Sequence, residues 1–565
     1  MAENDQIEEE RLMRRFLKPG GVLTAAFMAG LALFANVPAA TAQESGTMTD
    51  YETLLALFED WRDFETPEMT DGAPDYSDAA MAEKQAGLET YRARLEAIDP
   101  NGWPVPRQVD YQIVRAEMNG LDFNIRVLRP WARDPAFYKS VWTYESDTPG
   151  HEGPTHHAVT ELWTYDFPLT AAEEARLTKD LSVIPPLNEQ ARENLDGNAR
   201  DLWTAGIFTI EEQAGVLEDL AKRTEDAGPE LRAAVDEALT STRAFAEWLE
   251  AEADSKTGPS GVGKENYTWY LQNVHLIPMT WEDEVMLMKR ELKRAITSLK
   301  LEEHRNRDLP PLEPVSSAEE YEALAKDRVR KYMAFMEDGE IVHVKDYMEP
   351  ALMEKTGVYA PPETRNFFAQ ATHREPMTLW THFYHWWDLA RIKQHPTQSP
   401  VRQGALLYNI FDSRAEGVAT AVEEMFMHAG LYDDNPRARE IVWIMQAARA
   451  ARGLASLYAQ ANEFTMQEAS DFHVEWTPRN WMRRDLDLLG SEQQLYLRQP
   501  GYGTSYITGK HLVEELMADY AMQEGEDFVL ADFLEDMDGR GVIPVSLLRW
   551  EMTGEGDQIE KLTAN

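Results

Sequence analysis

Cysteine is absent from all 565 residues. That removes thiolate nucleophiles, iron–sulfur clusters, zinc fingers and any disulfide framework, and it leaves the chain indifferent to the redox state of its compartment. Positive charge is scarce as well: 55 Lys and Arg stand against 99 Asp and Glu, a formal charge of −44. A surface of that sign repels phosphate backbones and anionic lipid, so nucleic-acid binding is excluded as a function class, while cationic ligands and divalent metals remain compatible. Alternating apolar and polar runs of the strand type are few. Long apolar runs are missing everywhere except near the start.

That one run lies in "MRRFLKPGGVLTAAFMAGLALFANVPAATAQ", where Arg14, Arg15 and Lys18 precede an apolar stretch and Ala40-Thr41-Ala42 gives the small-x-small pattern of a signal peptidase site. Residues 1–42 are therefore expected to be an export signal cleaved near Ala42, leaving a periplasmic or secreted protein with no stable membrane insertion. An uncleaved anchor is the alternative, although the run is shorter than a full membrane span.

What fills the rest is helical periodicity. Segments such as "YETLLALFEDWRDF", "TWEDEVMLMKRELKRAITSLKLEEHR" and "REIVWIMQAARAARGLASLYAQA" place apolar residues three and four apart with charges opposite. Thr280 before an acidic turn and Thr465 three residues before Glu468 mark helix starts. The expected fold class is all-α, a large multi-helix body with short Pro/Gly connections. The best division falls near "DSKTGPSGVGKEN" at 254–266, read as a flexible connection between an N-terminal helical region, 43–255, and a region carrying the site, 256–565, packed as one body. Within it "GPSGVGKE" only imitates a phosphate loop, because Glu265 replaces the required hydroxyl.

The chemistry concentrates after residue 370. In "WTHFYHWWDLAR", His382, His385 and Asp388 follow one another at intervals of three, which on a helix sets the two imidazoles on adjacent turns of one face. Downstream, Glu416, Glu423 and Glu424 stack on one face of a helix whose other positions are apolar, and buried carboxylates require cationic partners. A His-bearing helix joined to a Glu-bearing helix is how helical zinc hydrolases assemble two nitrogens and one oxygen around an open coordination position. His428 at the end of the Glu helix reads as a dipole partner, and His473 as a packed histidine.

Several stretches, among them "GKENYTWYLQ" at 263–272, "EGVATAVEE" at 416–424 and "QPGYGTSYITGK" at 499–510, together resemble the bacterial domain of unknown function 885 family. The resemblance runs from about residue 260 to the C-terminus and is fainter before it. It implies a helical fold related to zinc metallopeptidases and a His-Glu-x-x-Pro-Gly-His-His metal motif. Here the motif is degenerate: with His382 on the first histidine, Phe383 stands at the glutamate expected to activate water, Trp386 and Trp387 at the Pro-Gly, and Asp388 and Leu389 at the final histidines. Gln460 stands where the family usually carries a histidine.

Two functions follow. In the first, an exported hydrolase of a small peptide or amide-like substrate uses one divalent ion, zinc first among the candidates, held by His382, Glu416 and either His385 or Asp388. Glu423 or another carboxylate is then the general base, and Tyr506 polarises the substrate oxygen, by its match to the Pro-Gly-x-x-x-Ser-Tyr segment that the resemblance implies. Arg498 and Lys510 flank that segment as anchors for an anionic group, with Tyr502 as a pocket wall. In the second function the metal is lost, and His382, His385 and Glu416 form a buried hydrogen-bond network in a periplasmic protein that only binds.

Overall fold

The computed structural model describes residues 49–564, so the expected leader lies outside the described residues. Helices account for nearly all regular structure, as the periodicity predicts, and among the described residues no helix is long and apolar enough to cross a membrane. The capping boxes at Thr280 and Thr465 form, each hydroxyl accepting from the backbone three residues on. Among the described residues the strands are two short pairs: Met69–Thr70 antiparallel to Ala73–Pro74, and Val141–Trp142 parallel to Thr160–Glu161. The second pair matters for the site, because it closes the two ends of the irregular segment 143–159.

The largest core draws on both sides of the linker, from Leu54, Trp61 and Phe123 to Met288, Trp443 and Leu547. Smaller cores, around Trp131, Trp203 and Phe245 and around Leu177, Leu217 and Val235, lie wholly before it. The linker itself differs from the flexible connection expected. Gly263 N–H donates to the Gln460 carbonyl at 2.8 Å, Val262 N–H to the Gln460 side chain at 3.2 Å, and Arg200 N–H to the Gly258 carbonyl at 3.2 Å. Its glycines serve close approach: a Cβ on Gly261 would meet the Ala459 and Gln460 carbonyl oxygens at 2.4 Å. Gln460 also donates to the Tyr496 and Leu497 carbonyls, so it is a buried joint between three chain segments.

Six helices carry the site: α1 (Trp281–Arg305), α2 (Tyr384–Gln394), α3 (Asp412–His428), α4 (Ala438–Gln460), α5 (Asp487–Arg498) and α6 (Tyr502–Glu524). Helices α3 and α6 meet backbone to backbone at Gly417 and Gly509. A Cβ on Gly417 would sit 2.5 Å from the Gly509 carbonyl carbon, and one on Gly509 would overlap the Ser413 carbonyl oxygen. This contact brings Glu416 beside the tyrosines of α6. Gly509→Ala is therefore expected to cost at least about 1–3 kcal/mol, because the obstacle is backbone that cannot rotate away; urea unfolding followed by circular dichroism measures it, and an unchanged midpoint would contradict the crossing.

Candidate functional site

His382 and His385 do not share one regular helix. A short helix ends at Trp380, His382 and Phe383 bond back to Leu379 and Trp380 with three-residue spacing, and α2 begins at Tyr384. Tighter winding of this kind eclipses side chains three apart, which lets the two imidazoles converge to ring centroids 5.0 Å apart. From α3, Glu416 Oε2 lies 3.3 Å from His382 Nε2 and 3.3 Å from His385 Nε2. One ligand atom from each of these three residues falls within 4.8 Å of the others, and all three are buried. This is a donor set able to hold a divalent cation.

Asp388 is not part of that set. Once the chain is regularly α-helical, three further residues carry it away from the convergence point. Both its oxygens are taken by the wholly buried Arg414, at 3.0 and 3.1 Å, with Arg391 at 3.4 Å. Arg414 also bonds Asp538 at 2.7 Å. The ligand role expected of Asp388 is corrected to that of counter-ion for a buried guanidinium.

Glu423 is corrected likewise. It lies two turns beyond Glu416, fully buried, and Arg449 of α4 grips both its oxygens at 2.6 and 2.8 Å. Its Oε1 stands 3.0 Å from His382 Nδ1, behind the imidazole. A carboxylate held by a guanidinium and facing the rear of a histidine orients that ring and leaves its Nε2 directed at Glu416; it is not free to take a proton from a substrate. Arg498 and Lys510 are also committed. Arg498 pairs with Asp134 at 2.6 Å and bonds the Pro154 carbonyl, and Lys510 pairs with Glu424 at 3.1 Å and with Glu514. Neither has charge to spare for an anionic substrate.

The tyrosines do line the centre. The ring of Tyr506 stacks on His382, centroids 5.9 Å apart at 15°, and the Arg452 guanidinium lies 3.8 Å from its centroid. The hydroxyl nearest the triad, however, belongs to Tyr502, which donates to Glu416 Oε1 at 2.6 Å, while the Tyr506 hydroxyl stands behind it at 3.3 Å.

Sequence reasoning missed the residue on the far side of Tyr502. Glu152, from segment 143–159, also contacts the Tyr502 hydroxyl. A phenol has one proton, so it cannot donate to two carboxylates at once; one of the two carboxyl groups must carry a proton of its own. Electrostatics selects Glu152. Burial and then the negative charge of Asp147 push its carboxyl up to about 8. Glu416 goes the other way: burial opposes ionisation, but His385 and His382 hold it well below the usual carboxylate range. His385 itself, which burial alone would depress, is raised to about 9 by Glu416, with smaller help from Asp147 and Asp388. The only sequence signal for Glu152 was the density of polar residues in "HEGPTHH" at 151–157, and nothing in spacing ties that stretch to a helix more than 260 positions later. The segment is placed by tertiary bonds: Gly153 N–H to Gln499 at 2.6 Å, and Asn409 to the His151 carbonyl at 2.9 Å.

His428 and His473 sit as the sequence suggests. His428 is exposed at the end of α3, 3.5 Å from Glu424. His473 is wholly buried and held neutral, pushed to about 3 by burial and by Arg452.

Residues 63–301 match the model of a family described as bacterial proteins of unknown function, DUF885. The match covers the part of the chain in which the resemblance was fainter, and meets the stronger part at residues 263–272. Two solved structures share the fold. One is "a putative lipoprotein of unknown function" from Shewanella oneidensis, 15% identical with a TM-score of 0.66; the other is "the putative lipoprotein" from Colwellia psychrerythraea, 13% identical with a TM-score of 0.62. Each comparison covers 90% of this chain and 100% of the other. No curated protein matches the sequence.

Proposed function

We propose that this protein, whose residues 63–301 match the model of the DUF885 family, is an exported metal-dependent hydrolase of a small peptide or amide-like substrate. The observation that carries the reading is the convergence of His382, His385 and Glu416, buried, on one point. The ring of His382 is set from behind by Glu423, and Glu416 is held from its other oxygen by Tyr502, the second contacts that a ligand set requires. A divalent ion there would supply Lewis acidity and lower the pKa of bound water. Nitrogen and oxygen donors without sulfur suit zinc, manganese or iron.

The chain's own part in proton transfer falls to Glu152. Phe383 removes the carboxyl that the resemblance implies, and Glu152 brings one from a different segment, already protonated and hydrogen-bonded to Tyr502. A buried acid poised near neutrality can deliver a proton to a leaving amine. Tyr502 spends its one proton on Glu416 and links Glu152 to the triad, so the polarising role remains with Tyr506.

Export is supported by the leader pattern of residues 1–42 and by two structural relatives named as lipoproteins. Without cysteine this chain has no thiol to carry a lipid, so after cleavage it would be free of the membrane.

One observation favours the binding-protein alternative. The Arg449 guanidinium lies 3.2 Å from His382 Nδ1, and a buried positive charge so close opposes a metal ion. Elemental analysis decides between the two. Purified protein is expected to carry about one divalent ion per chain, and His382→Ala and Glu416→Ala each to lose it with helicity retained. Wild-type protein that is metal-free and refuses zinc, manganese and iron in titration would leave the binding network as the better account.

A further inference from the structure

The backbone is strained where the helix Val105–Phe123 gives way to Pro130. Asn124–Leu128 forms one turn of π-helix, wider than an α-helical turn, closed by the Arg129 N–H donating to the Asn124 carbonyl at 2.8 Å. Arg129 then stands in the left-handed region, at φ 43° and ψ 57°. Such turns gather at functional sites, and glycine or asparagine is the ordinary choice for a left-handed residue after a helix. The ion pairs of the arginine do not compensate for that strain. Among the described residues its charged partners are Asp196 at 3.6 Å and Asp78 at 4.0 Å, both beyond hydrogen-bonding distance and both mostly exposed, and pairs of that kind contribute little stability.

The same turn walls a cavity of about 480 Å³, into which Ile125, Arg126, Arg129 and Trp131 bring their side chains from one part of the chain and Met81 and Gln85 theirs from the helix Asp78–Glu96. Arg126 is committed: its Nε donates to Asp122 at 2.8 Å and its guanidinium lies over the Trp269 ring. Arg129 is the guanidinium with open donors. Gln85 has the opposite deficit. Its Nε2 is turned to Asp122 at 3.5 Å, and its Oε1 is buried with no hydrogen bond. A buried acceptor without a donor is uncommon and costly.

These features select a ligand. A cation would face two guanidinium groups, and an inorganic anion would answer Arg129 but leave the apolar wall of Met81, Ile125 and Trp131 uncovered. An amide N–H next to a carboxylate, on an apolar residue, answers all three. We propose that this cavity binds an N-acylated amino acid with a free carboxylate, the chemistry of a peptide's C-terminal residue. The carboxylate pairs with Arg129, the amide N–H donates to Gln85 Oε1, and the apolar side chain lies against Met81, Ile125 and Trp131. The site does not rest on the hydrolase reading and needs no metal.

N-acetyl-L-leucine is titrated calorimetrically into the EDTA-treated mature chain, beside N-acetyl-L-leucinamide, which lacks the carboxylate, and 4-methylpentanoate, which lacks the N–H donor. N-acetyl-L-leucine is expected to bind about tenfold tighter than either. Arg129→Gly is expected to weaken it about tenfold while raising the thermal midpoint, since glycine adopts the left-handed backbone without strain. Gln85→Met should weaken N-acetyl-L-leucine and leave 4-methylpentanoate unchanged. Gly-Gly-Leu binding tighter than N-acetyl-L-leucine would make the ligand a peptide C-terminus, and equal or weaker binding a single acylated residue. Should Arg129→Gly fail to fold, Arg129→Asn, whose side chain also suits that backbone, takes its place. No binding of N-acetyl-L-leucine, equal affinity for it and its two truncated relatives, or unchanged affinity in Arg129→Gly would overturn the proposal. A midpoint that falls together with the affinity would assign Arg129 to the fold alone and overturn it as well.

Discussion

Arg414→Ala is expected to lower the free energy of unfolding by about 3–5 kcal/mol at neutral pH. The guanidinium is wholly buried and is the direct counter-charge of Asp388 and Asp538. Removing it leaves two carboxyl groups facing each other in the interior, with only Arg391 at 3.4 Å from Asp388 and the Tyr384 hydroxyl at 2.7 Å from Asp538 to replace it. Even with Arg414 present, burial and the repulsion of Asp388 raise Asp538 to about 6. In the variant Asp538 would be driven further toward its protonated form, so the deficit should be smaller at pH 5 than at pH 8. Urea unfolding at the two pH values measures this. A loss below about 1 kcal/mol would mean that water or rearrangement neutralises the pair. Adding Asp388→Asn and Asp538→Asn should recover part of the stability, which separates an uncompensated charge from a simple packing defect.

The second large effect concerns Glu284 in α1, buried against α6. Burial raises its carboxyl from 4.5 to about 7, although the hydroxyls of Tyr267 and Thr508 each donate to it at 2.7 Å. Below about pH 4.5 the group is protonated in both the folded and the unfolded chain. Between about 4.5 and 7 only the unfolded chain releases its proton, so the folded state loses up to about 3 kcal/mol as pH rises through that window, and nothing more above it. Glu284→Gln removes this titration while keeping an acceptor and a donor for the hydroxyls. The stability of Glu284→Gln relative to wild type is therefore expected to improve by about 3 kcal/mol from pH 4.5 to pH 8. A difference that stays flat with pH would show that the hydroxyls hold the carboxylate ionised throughout.

By itself the amino-acid sequence determined what local physics can determine. Apolar residues at three- and four-residue spacing made the chain helical, hydroxyls at Thr280 and Thr465 began helices where expected, and the absence of cysteine closed off thiol chemistry. It also brought His382, His385 and Glu416 forward as a group, because three-residue spacing and a buried carboxylate are visible in one dimension. What a charge is used for was not visible. Asp388, Glu423, Arg498 and Lys510 have the right chemistry for a site, yet each is neutralised by a partner from 26 to 364 positions away (Arg414, Arg449, Asp134 and Glu424), since a buried charge is stable only beside its opposite and the fold alone decides which opposite is near. Glu152 reaches Tyr502 for the same kind of reason. Segment 143–159 is pinned at its ends by the Val141–Trp142 and Thr160–Glu161 pairing and along its length by Gln499, Asn409 and Arg498. Those bonds join parts of the chain that no periodicity connects, and they set the Glu152 carboxyl against the Tyr502 hydroxyl.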